Sequence, residues 1–389
     1  MKLMVLAPSF RKKSPVQGAF LFAKYLYQHD VPVMFVSLDQ HLSGSSSLVP
    51  EIQALGLPTE CLGFKGWRGL YQRRRLSEFV RAYHFDAVVS YLFRPDVFNV
   101  TLSGVARISS IRGFLRKTYR LTYGPIIGNA AASLHMHAIR RLDHVFSMSP
   151  AMKEWLVGEG IPAPQVSIHP NFIDVGATIR SGVKALAESV SPCSDINIGL
   201  FGPLIRRKRP DLAITGISRL VRHYGIQNVC LHIAGSGPWE NRVRRLVAQL
   251  GLADLVRCHG HIDDPLPLMR SMDLILSTSE SEGVPRSLME ALALGRTCVV
   301  AAIPGIEQLI KDGETGYLFS SGNGNSLAAV VAAIIRENKY LSPERLERFM
   351  FEHFDVDQCC ERMLRWVQSV VVGTTENSTT DTKLVIRDT

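Results

Sequence analysis

The sequence predicts an α/β protein of two doubly wound, Rossmann-like domains facing each other across a cleft. Three observations point there. Short apolar or β-branched runs alternate with longer amphipathic ones, the pattern of a parallel sheet covered by helices. The alternation restarts in mid-chain at "INIGLFGPL" (Ile196–Leu204). The length, 389 residues, is more than one ordinary core needs and enough for two.

Taken in order, "KLMVLAP" (Lys2–Pro8) reads as the first strand, "GAFLFAKYLYQHD" (Gly18–Asp30) as a helix and "VPVMFVSLD" (Val31–Asp39) as the next strand. "DAVVSYL" (Asp86–Leu92) and "HVFSMS" (His144–Ser149) are further strands, and a helix begins at Pro150. In the second half, Ile196–Leu204, "VCLHIAGSG" (Val229–Gly237), "DLILSTS" (Asp273–Ser279) and "TCVVAA" (Thr297–Ala302) read as strands, with helices at "RPDLAITGISRLVRHYG" and "SLMEALALG" (Ser287–Gly295). These readings divide the chain into a first Rossmann-like domain at 1–174, a linker at 175–195 that lacks a firm period, and a second Rossmann-like domain at 196–355. A helix at 356–373 is expected to return to the first domain, and the polar segment 374–389 to be disordered.

Charge is unevenly placed. The net charge is +9, yet residues 1–190 hold 22 Lys and Arg against 12 Asp and Glu, so the whole excess lies in the first half. Two segments concentrate it, "KGWRGLYQRRR" (Lys65–Arg75) and "RISSIRGFLRKTYRLTY" (Arg107–Tyr123), each interleaving cations with aromatic and aliphatic residues. That mixture suits an anionic membrane surface. A solvated basic face is the commoner meaning of any one charge run. Nucleic acid ranks last, because no helix-turn-helix, RNP or zinc-finger pattern accompanies the charge. No apolar run reaches the length of a spanning helix, and the N-terminus reads as a strand, not a signal peptide. The seven scattered cysteines show no CxxC spacing, so no disulfide framework or zinc site is expected and a reducing compartment fits. His259 and His261 flank Gly260 with no third ligand in the pattern, which favours packing over metal. No cofactor and no metal is expected.

The chemistry concentrates in "SESEGVPRSLMEALALG" (Ser279–Gly295), which carries Glu282 and Glu290 through an otherwise apolar segment. Glu282 and the Gly283–Val284–Pro285 turn fall in the loop after a buried strand, and a helix starts near Arg286 or Ser287. Its free N–H groups suit an anionic phosphate, and Gly283 lets the backbone come close. Two carboxylates beside such a site are poor phosphate ligands but good acceptors for sugar hydroxyls. A nucleotide sugar offers both partners. Taken singly, Glu282 could be a charge favoured by the helix dipole and Glu290 a solvated helix residue.

Residues Glu280–Phe319 resemble the signature region of retaining glycosyltransferases of the GT-B fold, family four, whose E-x7-E motif is met by Glu282 and Glu290. The resemblance extends to "GLFGPLIRRKRPDL" (Gly199–Leu212), "LHIAGSGP" (Leu231–Pro238), "VRCHGHIDD" (Val256–Asp264) and "VSIHPNFID" (Val166–Asp174). It implies Glu290 as ribose ligand, Glu282 beside the donor hexose and the reacting centre, and Lys208 as the diphosphate lysine. It also implies donor contacts at Gly18, Gly202, Ile262, Gly283, Val284 and Pro285. The family usually has arginine directly after the first glycine, and Pro203 stands there; Arg207 or Arg206 could replace it, with Arg207 preferred. Where many relatives carry a histidine near the transferred sugar, this chain has Arg112, which cannot serve as a base. Arg112 is expected to bind an acceptor diphosphate or the donor, or else to belong to the basic patch.

The expected activity is retaining, metal-independent transfer of a hexose or N-acetylhexosamine. The donor would be a nucleoside-diphosphate sugar, with uridine the expected nucleoside, and the acceptor a lipid-linked glycan or a lipopolysaccharide or polysaccharide intermediate. The expected location is cytoplasmic, peripheral at the inner face of the membrane. Two rivals are kept: a nucleotide-sugar epimerase of the same fold, and a catalytically silent donor-binding partner in a glycan assembly complex.

Overall fold

The computed structural model describes residues 1–39, 47–64, 72–184 and 195–384. The chain separates into two units. One comprises Met1–Tyr119, Pro125–Pro170 and Val356–Thr389, the other Arg120–Gly124 and Asn171–Asp355.

The first unit is built on seven strands, β1 (Leu3–Ala7), β2 (Val33–Ser37), β3 (Thr59–Cys61), β4 (Ala87–Tyr91), β5 (Ala106–Ser110), β6 (His144–Ser147) and β7 (Val166–Ile168). They pair in the order β3-β2-β1-β4-β5-β6-β7 and every ladder is parallel. β1 and β4 are buried along their whole length, as central strands of a sheet covered on both faces must be; this is why they read as unbroken apolar runs. One face packs Met4, Leu6, Val36 and Val88 against Phe64, Leu76 and Phe98. The helix Ser14–Gln28 joins β1 to β2, opens with Pro15 in its first turn, and buries Phe20, Phe22 and Leu26. Against it lies the helix Val356–Leu384, which buries Cys360, Met363 and Val367. Trp366 of that helix stacks on His144 (centroids 5.1 Å apart) and meets His169 edge-on at 6.4 Å.

A polar chain runs through this core at the C-terminal end of β4. Ser90 Oγ donates to Asp96 Oδ1 (2.6 Å), His135 Nε2 to Asp96 Oδ2 (2.6 Å), and His135 Nδ1 lies 2.8 Å from Tyr119 Oη. Asp96 is fully buried, so each carboxylate oxygen needs these partners.

The second unit holds six strands, β8 (Ile196–Phe201), β9 (Val229–Ala234), β10 (Val256–Gly260), β11 (Leu274–Ser277), β12 (Thr297–Ala302) and β13 (Tyr317–Ser320). All are parallel, in the order β10-β9-β8-β11-β12-β13. The order reverses between β8 and β11, so the loops leaving these neighbours diverge and open a crevice, the usual ligand position in such sheets.

Three expectations differ from the structure. Residues 175–184 of the expected linker form a helix, Val175–Lys184, and 185–194 lie outside the described residues. Asp174 caps that helix, accepting from Ala177 N at 2.7 Å, and Val175 and Thr178 are buried; tertiary burial outweighs the weak propensity of its Gly and β-branched residues. The final helix is assigned from Val356 to Leu384 and so takes in residues 374–384, for which disorder was expected; 385–389 lie outside the described residues. Cys230, in β9, is disulfide-bonded, whereas no disulfide was expected. Sequence spacing carries no information on spatial proximity. Cys61, Cys258, Cys298, Cys359 and Cys360 are not disulfide-bonded.

Candidate functional site

The loop after β8 runs from Gly202 to a 3-10 turn at Arg206–Lys208. Its course is fixed by the loop after β9. Gly202 N donates to Ala234 O (3.0 Å), and Leu204 N to Ser236 O (2.9 Å). Gly235 makes this possible: its φ is +151°, and a Cβ there would fall 1.9 Å from the Gly202 carbonyl oxygen.

The basic turn is then tied to the end of β11. Thr278 Oγ1 lies 2.9 Å from both the Lys208 and Arg209 carbonyls, and Glu280 N donates to Arg207 O (2.9 Å). Arg209 adopts a left-handed conformation (φ +49°), held by its fork on Asp211 (3.0 and 3.1 Å) and a bond to Glu280 (2.8 Å). "RRKRPD" is thus a constrained loop whose cations face the start of "SESEGVP".

Glu282 receives two of them. Its Oε1 lies 2.5 Å from Arg207 Nη1 and 2.9 Å from Lys208 Nζ, and its side chain is only 11% exposed. Arg207 also donates to Ser281 O at 2.5 Å. Burial alone would push the Glu282 carboxyl up; Lys208 and Arg207 outweigh that and hold it below the usual carboxylate range. Two cations on one carboxylate leave one positive charge in excess. Beside it a pocket is lined by Gly202, Pro203, Lys208, Thr278, Ser279 and Ser287. The helix Arg286–Ala293 begins at its edge. Excess positive charge next to a helix N-terminus suits an anionic group.

Glu290, one turn into that helix, accepts from Arg286 Nε at 2.8 Å. Here burial wins: it raises the Glu290 carboxyl above its ordinary range against the opposing Arg286, with Asp264 adding a little. The two glutamates are driven in opposite directions by their surroundings. That is the pattern of a pair with different tasks.

The structure therefore brings Arg207 and Lys208 onto Glu282, and of the expected site residues Gly202 and Lys208 line the pocket, with the Gly283–Val284–Pro285 turn buried between Glu282 and the helix. Arg206, the other option for replacing the missing arginine, is exposed. Ile262 is half-buried beyond β10 and is not among the residues lining the pocket. Gly18 and Arg112 lie in the first unit and meet each other: a Cβ on Gly18 would stand 2.9 Å from the guanidinium, which lies 5.1 Å from the centroid of the Tyr91 ring. Three residues were missed. Arg286 pairs with Glu290; Asn171 donates to Val284 O (3.0 Å) and pins the turn; Thr278 anchors the basic loop. Asn171 stands within "HPNFID", quoted for the resemblance, but nothing in the sequence says what it bonds. Among the described residues no cluster of three or more His, Cys, Asp and Glu could hold a metal ion. His259 Nε2 faces His232 Nδ1 at 3.0 Å, and His232 reaches Asn197 at 3.1 Å.

Residues 188–349 match the family model for glycosyl transferases group 1. The match covers the second unit's sheet and the whole Glu282–Glu290 site. Among curated proteins, the chain is 30% identical over 187 residues to an N-acetyl-alpha-D-glucosaminyl L-malate synthase of Bacillus anthracis, covering 47% of this chain and 48% of that one. It is 24% identical over 224 residues to a lipopolysaccharide 1,6-galactosyltransferase of Salmonella typhimurium, covering 55% and 60%. The chain thus spans between 48% and 60% of the length of these relatives. Among solved structures, HepE of Anabaena in complex with UDP superposes with a TM-score of 0.78 at 16% identity, over 95% of this chain and all of that one. At that identity the likeness establishes the fold: two parallel, Rossmann-like sheets as in GT-B glycosyltransferases.

Proposed function

We propose that the protein is a retaining glycosyltransferase that moves a hexose or N-acetylhexosamine from a UDP-sugar to a lipid-linked glycan or a lipopolysaccharide or polysaccharide intermediate. The observation that carries this reading is the buried Glu282 carboxylate held between Lys208 and Arg207 at the mouth of a helix N-terminus. Lys208 and Arg207 absorb the charge that develops on the leaving diphosphate, and the N–H groups at Gly283–Arg286 share it. Glu282, kept ionised, accepts from donor hexose hydroxyls beside the reacting centre. Glu290 accepts from the ribose diol, and Gly202, Ile262, Val284 and Pro285 shape the donor site. In the first unit Gly18 is, in this reading, a further donor contact, and Arg112 is the acceptor-side cation, for an acceptor phosphate. The reaction needs no metal in this scheme, because side-chain cations neutralise the leaving group. The named activity of one curated relative, a lipopolysaccharide 1,6-galactosyltransferase, supports a glycan or glycolipid acceptor.

The test is thermal shift of the full chain with a panel of nucleoside diphosphates and nucleotide sugars, alongside Glu290→Ala. A ligand at about 100 times its dissociation constant stabilises the native state by about 2.7 kcal/mol. A shift with one uridine ligand that disappears in the variant supports the reading. No shift with any nucleotide sinks it.

An anionic membrane surface is the proposed location of the acceptor. Among the described residues no helix is long and apolar enough to cross a bilayer. The helix Pro125–Ile139 instead exposes Ile126 (83%), Ile127 (67%) and Leu134 (47%), and Lys117 and Arg141 are exposed on flanking segments. Apolar tips among cations are what an interfacial contact requires. Part of the other basic segment, residues 65–71, lies outside the described residues. Flotation with anionic vesicles but not neutral ones is the expected result, and equal recovery with both would refute it.

A further inference from the structure

Arg286 is the first residue of the helix Arg286–Ala293, and its Nε meets Glu290 Oε1 at 2.8 Å. An i,i+4 pair on an open helix face contributes little. This one is enclosed, with side chains only 21% and 15% exposed, at the start of the helix that borders the pocket. The bond occupies one carboxylate oxygen. Among the described residues Glu290 Oε2 receives no hydrogen bond.

We propose that Arg286 is a positioning residue for the donor nucleotide: it anchors the Glu290 carboxylate by one oxygen and presents the other to the ribose diol, and so sets the preference for a ribonucleotide over its deoxy counterpart. The inference rests on Glu290 as the ribose ligand. The charged groups acting on Glu290 are Arg286 on its own helix and Asp264 from the loop after β10. Burial and Asp264 favour the protonated carboxyl, and Arg286 opposes them. Removing Arg286 frees the carboxylate to rotate and extends its protonation to higher pH. A ribose hydroxyl then loses a fixed, charged acceptor.

The experiment is calorimetric titration of the full chain with UDP, 2′-deoxy-UDP and 3′-deoxy-UDP between about pH 6 and about pH 9, for the wild type, Arg286→Ala, Arg286→Gln, Arg286→Lys and Glu290→Ala. Loss of one charge-assisted bond corresponds to about tenfold or more in affinity. Arg286→Ala should therefore bind UDP about tenfold more weakly near neutrality and regain affinity as pH rises. Its discrimination between UDP and the deoxy ligands should collapse to within about twofold, and Arg286→Lys should restore most of it. Arg286→Gln gives the same two readouts if the alanine variant does not fold. Retention of the wild-type ribo-to-deoxy ratio in either variant overturns the proposal. The donor reading fails separately, when Glu290→Ala itself binds UDP with the wild-type ratio.

Discussion

Lys208→Met is the sharpest perturbation of the site. In the native state Lys208 Nζ lies 2.9 Å from a Glu282 carboxylate that is 11% exposed. At an effective dielectric of about 20 the gross attraction at that separation is about 6 kcal/mol, most of it offset by desolvating both groups. Arg207 stays in place at 2.5 Å, so Glu282 is not stranded and the expected net destabilisation is about 1–2 kcal/mol. The double variant Lys208→Met/Arg207→Met strands the carboxylate and should lose about 3–5 kcal/mol. Adding Glu282→Gln to it should recover much of that loss, because the buried charge is gone. Donor affinity follows a different course. Lys208→Met cancels the excess positive charge, and UDP affinity should fall by about tenfold or more while Glu282→Gln leaves it unchanged or strengthened. Denaturant melts give the stabilities and calorimetry gives the affinities. The reasoning is refuted if Glu282→Gln adds its own loss to the double variant, instead of rescuing it, or if Lys208→Met binds UDP as the wild type does.

His144 and His169 are buried beside Trp366, and burial first, then neighbouring cations, lowers their pKa values to about 4 and about 3. An unfolded histidine titrates near 6.5, so the unfolded chain binds more protons below that pH. Stability should therefore be full above about pH 6.5 and fall as pH drops towards 4, by about 3 kcal/mol from His144 alone. A denaturant series followed by tryptophan fluorescence reads it, and a flat profile in that window contradicts it. Asp96→Asn weakens the bonds that Ser90 and His135 donate to its two carboxylate oxygens in a fully buried chain, and should cost about 2–4 kcal/mol in a thermal melt without changing UDP affinity.

The sheet architecture was legible because the central strands are buried on both faces: "LMVLA" and "AVVSY" have no polar face to keep. The restart at Ile196 marks β8, the central strand of the second sheet. The helix Val175–Lys184 was hidden because its burial comes from tertiary packing, which its Gly-containing, β-branched sequence does not announce. In the site, the placement of Glu282 and Glu290 followed from a strand, a glycine turn and a helix start in succession. Their partners did not. Lys208 lies 74 positions before Glu282, and nothing local reveals that the carboxylate sits between it and Arg207. Arg286 and Glu290 have the spacing of an ordinary exposed pair, and only their burial makes the pair informative. The Tyr119–His135–Asp96 chain spans separations of 16 and 39 residues, beyond any periodicity.

Transfer itself is the most direct test. Full-length protein is incubated with radiolabelled UDP-hexoses and UDP-N-acetylhexosamines together with a bacterial membrane lipid extract, and the lipid fraction and nucleotide pool are both resolved. The account predicts label from one donor in the glycolipid fraction, with UDP released in equal amount, and loss of both in Lys208→Met and Glu282→Gln. Conversion of the donor into another nucleotide sugar without acceptor, or tight donor binding with no turnover, would contradict it.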